Sequence, residues 1–190
     1  MHNTNHKKTA RLLFCGGFSL IELLVTMSIV VIVTSVSLAN YPSFSEKLSL
    51  KRTVQEVALS IRQAQIYGGS VKKFEGATIE DFPGYGVYFS EDSSFFSLFA
   101  DEDNDHDYAP AEQIRLFEIK TGDKISTLKC DGLSCPGREL QVVFVRPGPT
   151  VHLVDGSGGS HSVVEITVQS RKEGTKVIKV YVTGQISVGQ

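Results

Sequence analysis

The chain lacks most of the features that would settle its class at once. It has three cysteines among 190 residues, too few for a four-cysteine zinc site. It has no excess of basic charge: 19 Lys and Arg face 21 Asp and Glu, so a general nucleic-acid footprint is absent. No internal repeat and no long disordered tract interrupts it, which leaves a single globular head of about 120 residues as the expected body. His106, His152 and His161 are scattered outside any nucleophile or metalloprotease motif, and Ser160-His161-Ser162 reads as a polar turn in a Gly-rich loop. The expectation is a protein that is not an enzyme and requires no cofactor.

What the chain does have is one long apolar run, residues 18–39, in which Glu22 is the only charge. About 20 apolar residues cross a hydrocarbon core. A carboxylate near the centre of such a helix costs roughly 2.5 to 3.5 kcal/mol, so Glu22 calls for a partner. Phe18 and Glu22 are four apart and share one helix face, so an α-amine freed by cleavage before Phe18 would lie near that carboxylate, in the same chain or on a neighbour. Two plainer readings compete. A conventional secretory signal would use Lys7, Lys8 and Arg11 and the small-x-small site Ser37-Leu38-Ala39, but its apolar core is typically only ~7 to 15 residues. An ordinary single-pass anchor fits the length but has no use for Glu22 at that offset.

The residues Gly17-Phe18-Ser19-Leu20-Ile21-Glu22-Leu23-Leu24-Val25 resemble the prepilin cleavage and methylation motif of type IV pilins and type II secretion pseudopilins. The resemblance implies a leader over residues 1–17, removed by prepilin peptidase between Gly17 and Phe18, and a Phe18 N-methylated as the first mature residue. It implies that Glu22 neutralises the amine of an adjacent subunit during assembly into a pseudopilus or pilus. The implied partners are other pilin or pseudopilin subunits, prepilin peptidase, the filament assembly machinery and, before assembly, the membrane.

Charge sets the orientation. The leader holds three cations and no acid, which keeps it cytoplasmic and sends the rest of the chain outward; the resemblance implies a place first in the inner membrane and then in a periplasmic or extracellular filament. Losing Lys7, Lys8 and Arg11 leaves 16 basic residues against 21 acidic ones and moves the formal charge from −2 to −5.

Beyond the apolar run, Pro42 predicts a bend near Asn40-Tyr41-Pro42. Leu50, Val54, Val57, Ile61 and Ala64 then form an apolar stripe at steps of four and three, ending at Gly68-Gly69. Lys47, Lys51, Arg52, Glu56 and Arg62 fall on the wet side. Residues 40–69 thus continue, as an amphipathic half, the helix begun by the transmembrane half over 18–39. From residue 70 the reading is β-rich, with period-two runs at 85–89, 95–100, 114–119, 125–129, 140–145, 151–154, 163–168, 176–182 and 185–188. The class is α+β: a long N-terminal helix packed on a head of strands over 70–190. The stretch Ile61-Arg62-Gln63-Ala64-Gln65, the β-rich middle and the closing Val180-Tyr181-Val182-Thr183-Gly184-Gln185-Ile186-Ser187-Val188 resemble the GspH/FimT type of minor pseudopilin.

Three further groups carry chemistry. Cys15 leaves with the leader, and Cys130 and Cys135 remain as an even pair in a turn-rich loop, for which a disulfide is the expectation and a share in a zinc knuckle the alternative. Asp101, Asp103, Asp105 and Asp107, with Glu112, occupy positions one, three, five, seven and twelve of an EF-hand loop, the spacing for Ca2+. Against it, His106 stands where that loop uses Gly, and a strand rather than a helix precedes it. A solvated acidic hairpin loop is therefore the alternative. Finally, Arg171, Lys172, Lys176 and Lys179 cluster around one hairpin. FimT-like minor pilins include DNA-uptake receptors with basic residues near the C-terminus, so these four are the candidate DNA contacts, set against the role of lysines in protecting a strand edge.

Overall fold

The helix foreseen from the sequence forms as one element, α1 (Leu20–Gly69), in the computed structural model of the protein. The structure describes residues 17–70, 83–119, 122–146, 150–171 and 174–189. The predicted leader lies outside these residues apart from Gly17. The helix runs through Pro42 as one element. Proline removes its own donor and one intrahelical bond, a loss of roughly 3 kcal/mol that an otherwise continuous helix can absorb. The position still matters for packing, because the chain divides between Tyr41 and Pro42 into two compact units.

In the first unit the helix is bare. From Leu20 to Leu38 none of the helix is buried, and this stretch is long and apolar enough to cross a membrane. Its polar side chains are turned inward on the helix itself. The hydroxyls of Ser28, Thr34, Ser35 and Ser37 donate to carbonyls four residues back, and that of Thr26 to the carbonyl of Leu23. Each hydroxyl thereby brings its own partner into an apolar medium, where an unsatisfied one would cost several kcal/mol.

In the second unit the amphipathic stripe is buried as its spacing requires. Leu50, Val54, Val57, Ile61 and Ala64 are each no more than 3% exposed, while Lys51, Arg52, Glu56 and Arg62 remain outside. The rest of this unit consists chiefly of strands β1 (Gly84–Ser90), β2 (Phe95–Asp101), β3 (Gln113–Glu118), β4 (Lys124–Cys130), β5 (Leu133–Ser134), β6 (Glu139–Val145), β7 (Thr150–Asp155), β8 (Val163–Gln169), β9 (Thr175–Tyr181) and β10 (Ile186–Gly189). They make two antiparallel five-stranded sheets, in the orders β3-β2-β1-β6-β7 and β10-β9-β8-β4-β5.

Register explains the core. In the first sheet Val87 lies between Leu98 and Val142, and Phe89 between Phe96 and Leu140, so alternate residues of three strands form apolar rows. In the second, Ile166 lies between Leu128 and Ile178, and Val168 opposite Ile125. Ile125 and Leu128 are three apart and would face opposite sides of a regular strand. A bulge between Ile125 and Thr127 shifts the register so that both point inward. The rows from both sheets join the helical stripe in one apolar cluster.

Two features fix the helix on this core. Asp123, 2% exposed, accepts hydrogen bonds on Oδ2 from Ser49 Oγ at 3.0 Å and Thr53 Oγ1 at 2.9 Å. At the other end Gly68 passes so close to β6 that a Cβ there would stand 2.3 Å from the Phe144 carbonyl oxygen. The head should therefore answer to the stripe. Ile61→Ala, at a fully buried position, is expected to destabilise it by about 2 to 5 kcal/mol in urea unfolding, whereas Leu59→Ala, 68% exposed on the same helix, should change it by less than about 0.5 kcal/mol.

Candidate functional site

The N-terminal junction is open and capped. Gly17, Phe18 and Ser19 precede α1 in irregular backbone, and Phe18 is 76% exposed. Ser19 ends the irregular segment: its carbonyl accepts the Leu23 N–H at 3.2 Å and its Oγ accepts the Glu22 N–H, also at 3.2 Å. Ser19 is thus the N-cap and Glu22 the third helical residue. A carboxylate in that first turn faces the positive end of the helix dipole, worth typically 0.3 to about 1 kcal/mol. The same place is where an amine on Phe18 would arrive. The cap is a functional detail absent from the reading of the sequence, although Ser19-Leu20-Ile21-Glu22 carries the S-x-x-E signature of a capping box.

The acidic segment folds back over the first sheet. Asp101 ends β2 on the face opposite the core, the face of Phe99, Tyr88 and Gln141. Tyr108 stacks on Tyr88 with ring centroids 4.5 Å apart and meets Phe99 edge-on at 5.5 Å, while His106 lies 4.0 Å from His152. Phe99 is consequently fully buried on a face that would otherwise be wet. Room for its ring comes from Gly86, whose Cβ would stand 2.6 Å from it.

Within this loop the five predicted ligands separate into two groups. Asp101, Asp103 and Asp105 each offer an oxygen within 4.8 Å of the others. Asp107 and Glu112 act as local supports. Asp107 Oδ1 accepts from Gln141 Nε2 at 2.6 Å and from the Tyr108 N–H at 2.8 Å. Glu112, in a 3-10 turn (Pro110–Glu112), accepts the Glu102 N–H on Oε1 and the Ala109 N–H on Oε2. His106, at the position where the calcium loop uses glycine, has φ of 64°, the left-handed conformation glycine would supply. Burial pushes the Asp101 carboxyl up to about 6, reinforced by the Glu112 and Asp105 charges and opposed by His106.

Cys130 and Cys135 form the expected disulfide, with Cα atoms 5.0 Å apart. It closes the hairpin of β4 and β5, whose turn residues Asp131 and Gly132 both have positive φ, as a two-residue Asp-Gly turn requires. Asp131 also ties this hairpin to the chain entering β8: its carboxylate accepts the N–H groups of Ser162 and Val163 and meets His161 Nδ1 at 3.0 Å. His161 Nε2 lies 2.7 Å from Asp155 Oδ2. Ser157 is present too, but its hydroxyl donates to Asp155 rather than to His161, so these three side chains hold a loop and do not pair a nucleophile with a base.

The basic hairpin is less unified than its sequence. Lys179 Nζ is 2.5 Å from Glu165 Oε1 on β8, and Lys176, three residues earlier on β9, projects from the opposite face. Arg171 is exposed, and Lys172 lies outside the described residues. The two segments carrying the second resemblance do meet: Gln65 Nε2 donates to the Gly184 carbonyl at 3.2 Å.

Residues 14–38 match the family model described as the prokaryotic N-terminal methylation motif, and this supports a type IV pilin-like protein. No curated protein and no solved structure matches the chain.

The histidine clip gives a pH signature. Burial lowers the His161 pKa, but hydrogen bonds to Asp155 and then Asp131 outweigh it and leave the pKa above its ordinary value. A raised pKa contributes stability that is complete below about 6.5 and is lost as pH climbs through the folded value. Asp155 works in the opposite sense: burial raises its carboxyl, hydrogen bonds from Ser157, His161 and Gly159 hold it well below the usual range, and its contribution is lost in acid. His161→Gln should therefore cost about 1.5 to 3 kcal/mol at about pH 5.5 and progressively less toward about pH 9. Parallel stability curves for the two proteins would show that the His161 pKa does not change on folding.

Proposed function

We propose that the protein is a structural minor pilin or pseudopilin subunit, cleaved by prepilin peptidase after Gly17, N-methylated at Phe18 and assembled into a type II secretion pseudopilus or a type IV pilus. The observation that carries this reading is the junction itself: an exposed Gly17-Phe18 bond stands four residues before the only charge of a membrane-length apolar helix. The second resemblance, whose two segments meet at Gln65 and Gly184, favours the GspH/FimT branch of minor pseudopilins.

The mechanism follows from the helix surface. Before assembly residues 20–38 dissolve in the inner membrane, with the head exported and the leader cytoplasmic. In the filament the same side chains pack against the helices of other subunits, a change that exchanges lipid contacts for protein contacts and so asks little of the hydrophobic effect. Register must then come from a polar contact. Glu22 supplies it by pairing with the methylated amine of a neighbouring subunit, which removes two charges from the apolar filament core together. Head surfaces contact the other subunits and the assembly machinery.

Two measurements test this. The intact mass and N-terminal peptide of protein recovered from membranes of cells with active prepilin peptidase should give a chain beginning at methylated Phe18. A chain beginning at Asn40 would mean an ordinary secreted protein, and an uncut Met1 a simple anchor. Glu22→Ala should leave export and cleavage intact while reducing incorporation into filaments at least tenfold, as expected for an unpaired buried amine costing more than about 1.4 kcal/mol. Normal incorporation of that variant would remove Glu22 from assembly.

A further inference from the structure

A group of acidic residues in a hairpin loop is ordinarily a solvated surface, and three neighbouring aspartates would not by themselves point to a ligand. Asp101 is the exception within this group. It is fully buried, yet its Oδ2 accepts no hydrogen bond, and the single donor to Oδ1 is the His106 N–H at 3.4 Å. A buried carboxylate ordinarily collects several donors or a cation, because one left to itself costs several kcal/mol. What the chain places beside it instead is more negative charge, the oxygens of Asp103 and Asp105 within 4.8 Å. A second buried oxygen on this sheet face, Gln141 Oε1, is also without a donor, and the amide of the same side chain already holds Asp107.

Each of the three carboxylates accepts one N–H of the loop, Asp101 that of His106, Asp103 that of Asp105 and Asp105 that of Asp107, and other groups fasten the loop as well. Glu112 fastens both of its ends through the N–H groups of Glu102 and Ala109, and Tyr108 is packed on Tyr88 and Phe99. The cluster is thus held by Glu112, by Tyr108 and by its own loop N–H groups, none of which supplies a positive charge against the repulsion inside it. Preorganised oxygens with an excess of negative charge and a protected edge are what a hard divalent cation requires. The donors in the cluster are all carboxylate oxygens, which suits calcium or magnesium rather than zinc or copper. Calcium accepts six to eight oxygens at about 2.3 to 2.6 Å in flexible geometry, whereas magnesium demands a near-ideal octahedron. An irregular loop that offers carboxylates from alternate residues favours the larger ion.

We propose that Asp101, Asp103 and Asp105 form a calcium site that clasps the acidic loop to the outer face of the first sheet. Asp101 is the buried ligand and Asp103 and Asp105 are the exposed ones, with backbone carbonyls and water completing the shell. The site is independent of whether the protein is assembled into a filament.

The test uses the full chain in detergent, with calcium chloride as the titrant and magnesium chloride as the comparison. Calorimetry should give one saturable site with a Kd of about 10⁻⁵ to 10⁻³ M for calcium and at least about tenfold weaker binding of magnesium. Saturating calcium should raise the melting temperature by several degrees, as binding to the folded state alone requires. D103N and D105N change exposed side chains, so they should keep the unliganded melting temperature within about 2 °C while weakening calcium binding at least about tenfold. D92N, at an acidic residue outside the loop, should bind calcium as the parent does. No saturable binding up to about 10 mM calcium would overturn the proposal, as would equal affinity in D103N, D105N and the parent.

Discussion

The C-terminal unit depends on one contact above all, the burial of the helical stripe Leu50, Val54, Val57, Ile61 and Ala64 against apolar rows from two sheets. Neither sheet could bury its inner face alone, and the stripe is too short to be stable as a free helix. Each fully buried Val or Ile contributes about 1.5 to 3 kcal/mol, so five positions at helical spacing set both the existence and the rotation of this part of α1. The polar fixings then follow from that rotation. Ser49 and Thr53 reach Asp123 only because Leu50 and Val54 point inward between them, and Gly68 must be small because the helix ends against Phe144. With the inner face committed, Leu59, Arg62 and Ile66 are left on the outside.

The same logic explains which parts of the molecule could be read from the residues. Period-two alternation is visible wherever one face is wet, so strands such as β8 and β9 announce themselves: Val163, Glu165 and Thr167 alternate with Val164, Ile166 and Val168. It fails where the backbone departs from the period. The bulge after Ile125 and the two-residue strand Leu133–Ser134 have no periodic signal, and the latter exists because the Asp131-Gly132 turn and the disulfide close a hairpin too short to alternate. Strand order across two sheets is set by packing between distant segments, which single runs do not encode.

Site residues divide along the same line. The reading of Gly17, Phe18 and Glu22 rests on spacing along one segment, a local property, and the match of residues 14–38 to the methylation motif rests on the same local pattern. The acidic loop was legible only as a spacing. That Asp101, Asp103 and Asp105 converge while Asp107 and Glu112 serve as supports depends on Tyr108 finding Tyr88 and Asp107 finding Gln141, contacts made across strands. The basic hairpin shows the reverse failure: Arg171, Lys172, Lys176 and Lys179 look like one patch in the sequence, but a strand sends residues three apart to opposite faces, and Lys179 is already engaged by Glu165.

Glu22 raises the remaining physical question, how a carboxylate is tolerated at the start of a helix otherwise fit for lipid. Its position answers part of it. At the third residue of α1, with its N–H capped by Ser19, the charge sits at the positive end of the dipole and near the membrane edge rather than at the centre, where the cost of about 2.5 to 3.5 kcal/mol applies. A residue placed only for tolerance could as well be serine, since Thr26, Ser28, Thr34, Ser35 and Ser37 all satisfy themselves on their own backbone and need nothing from outside. Glu22 differs from them in that a carboxylate has no proton to give its own helix and can only accept. Within its own helix Glu22 can accept only from the free N–H groups of the first turn, and the proposed assembly adds a charged amine at Phe18 as a further donor.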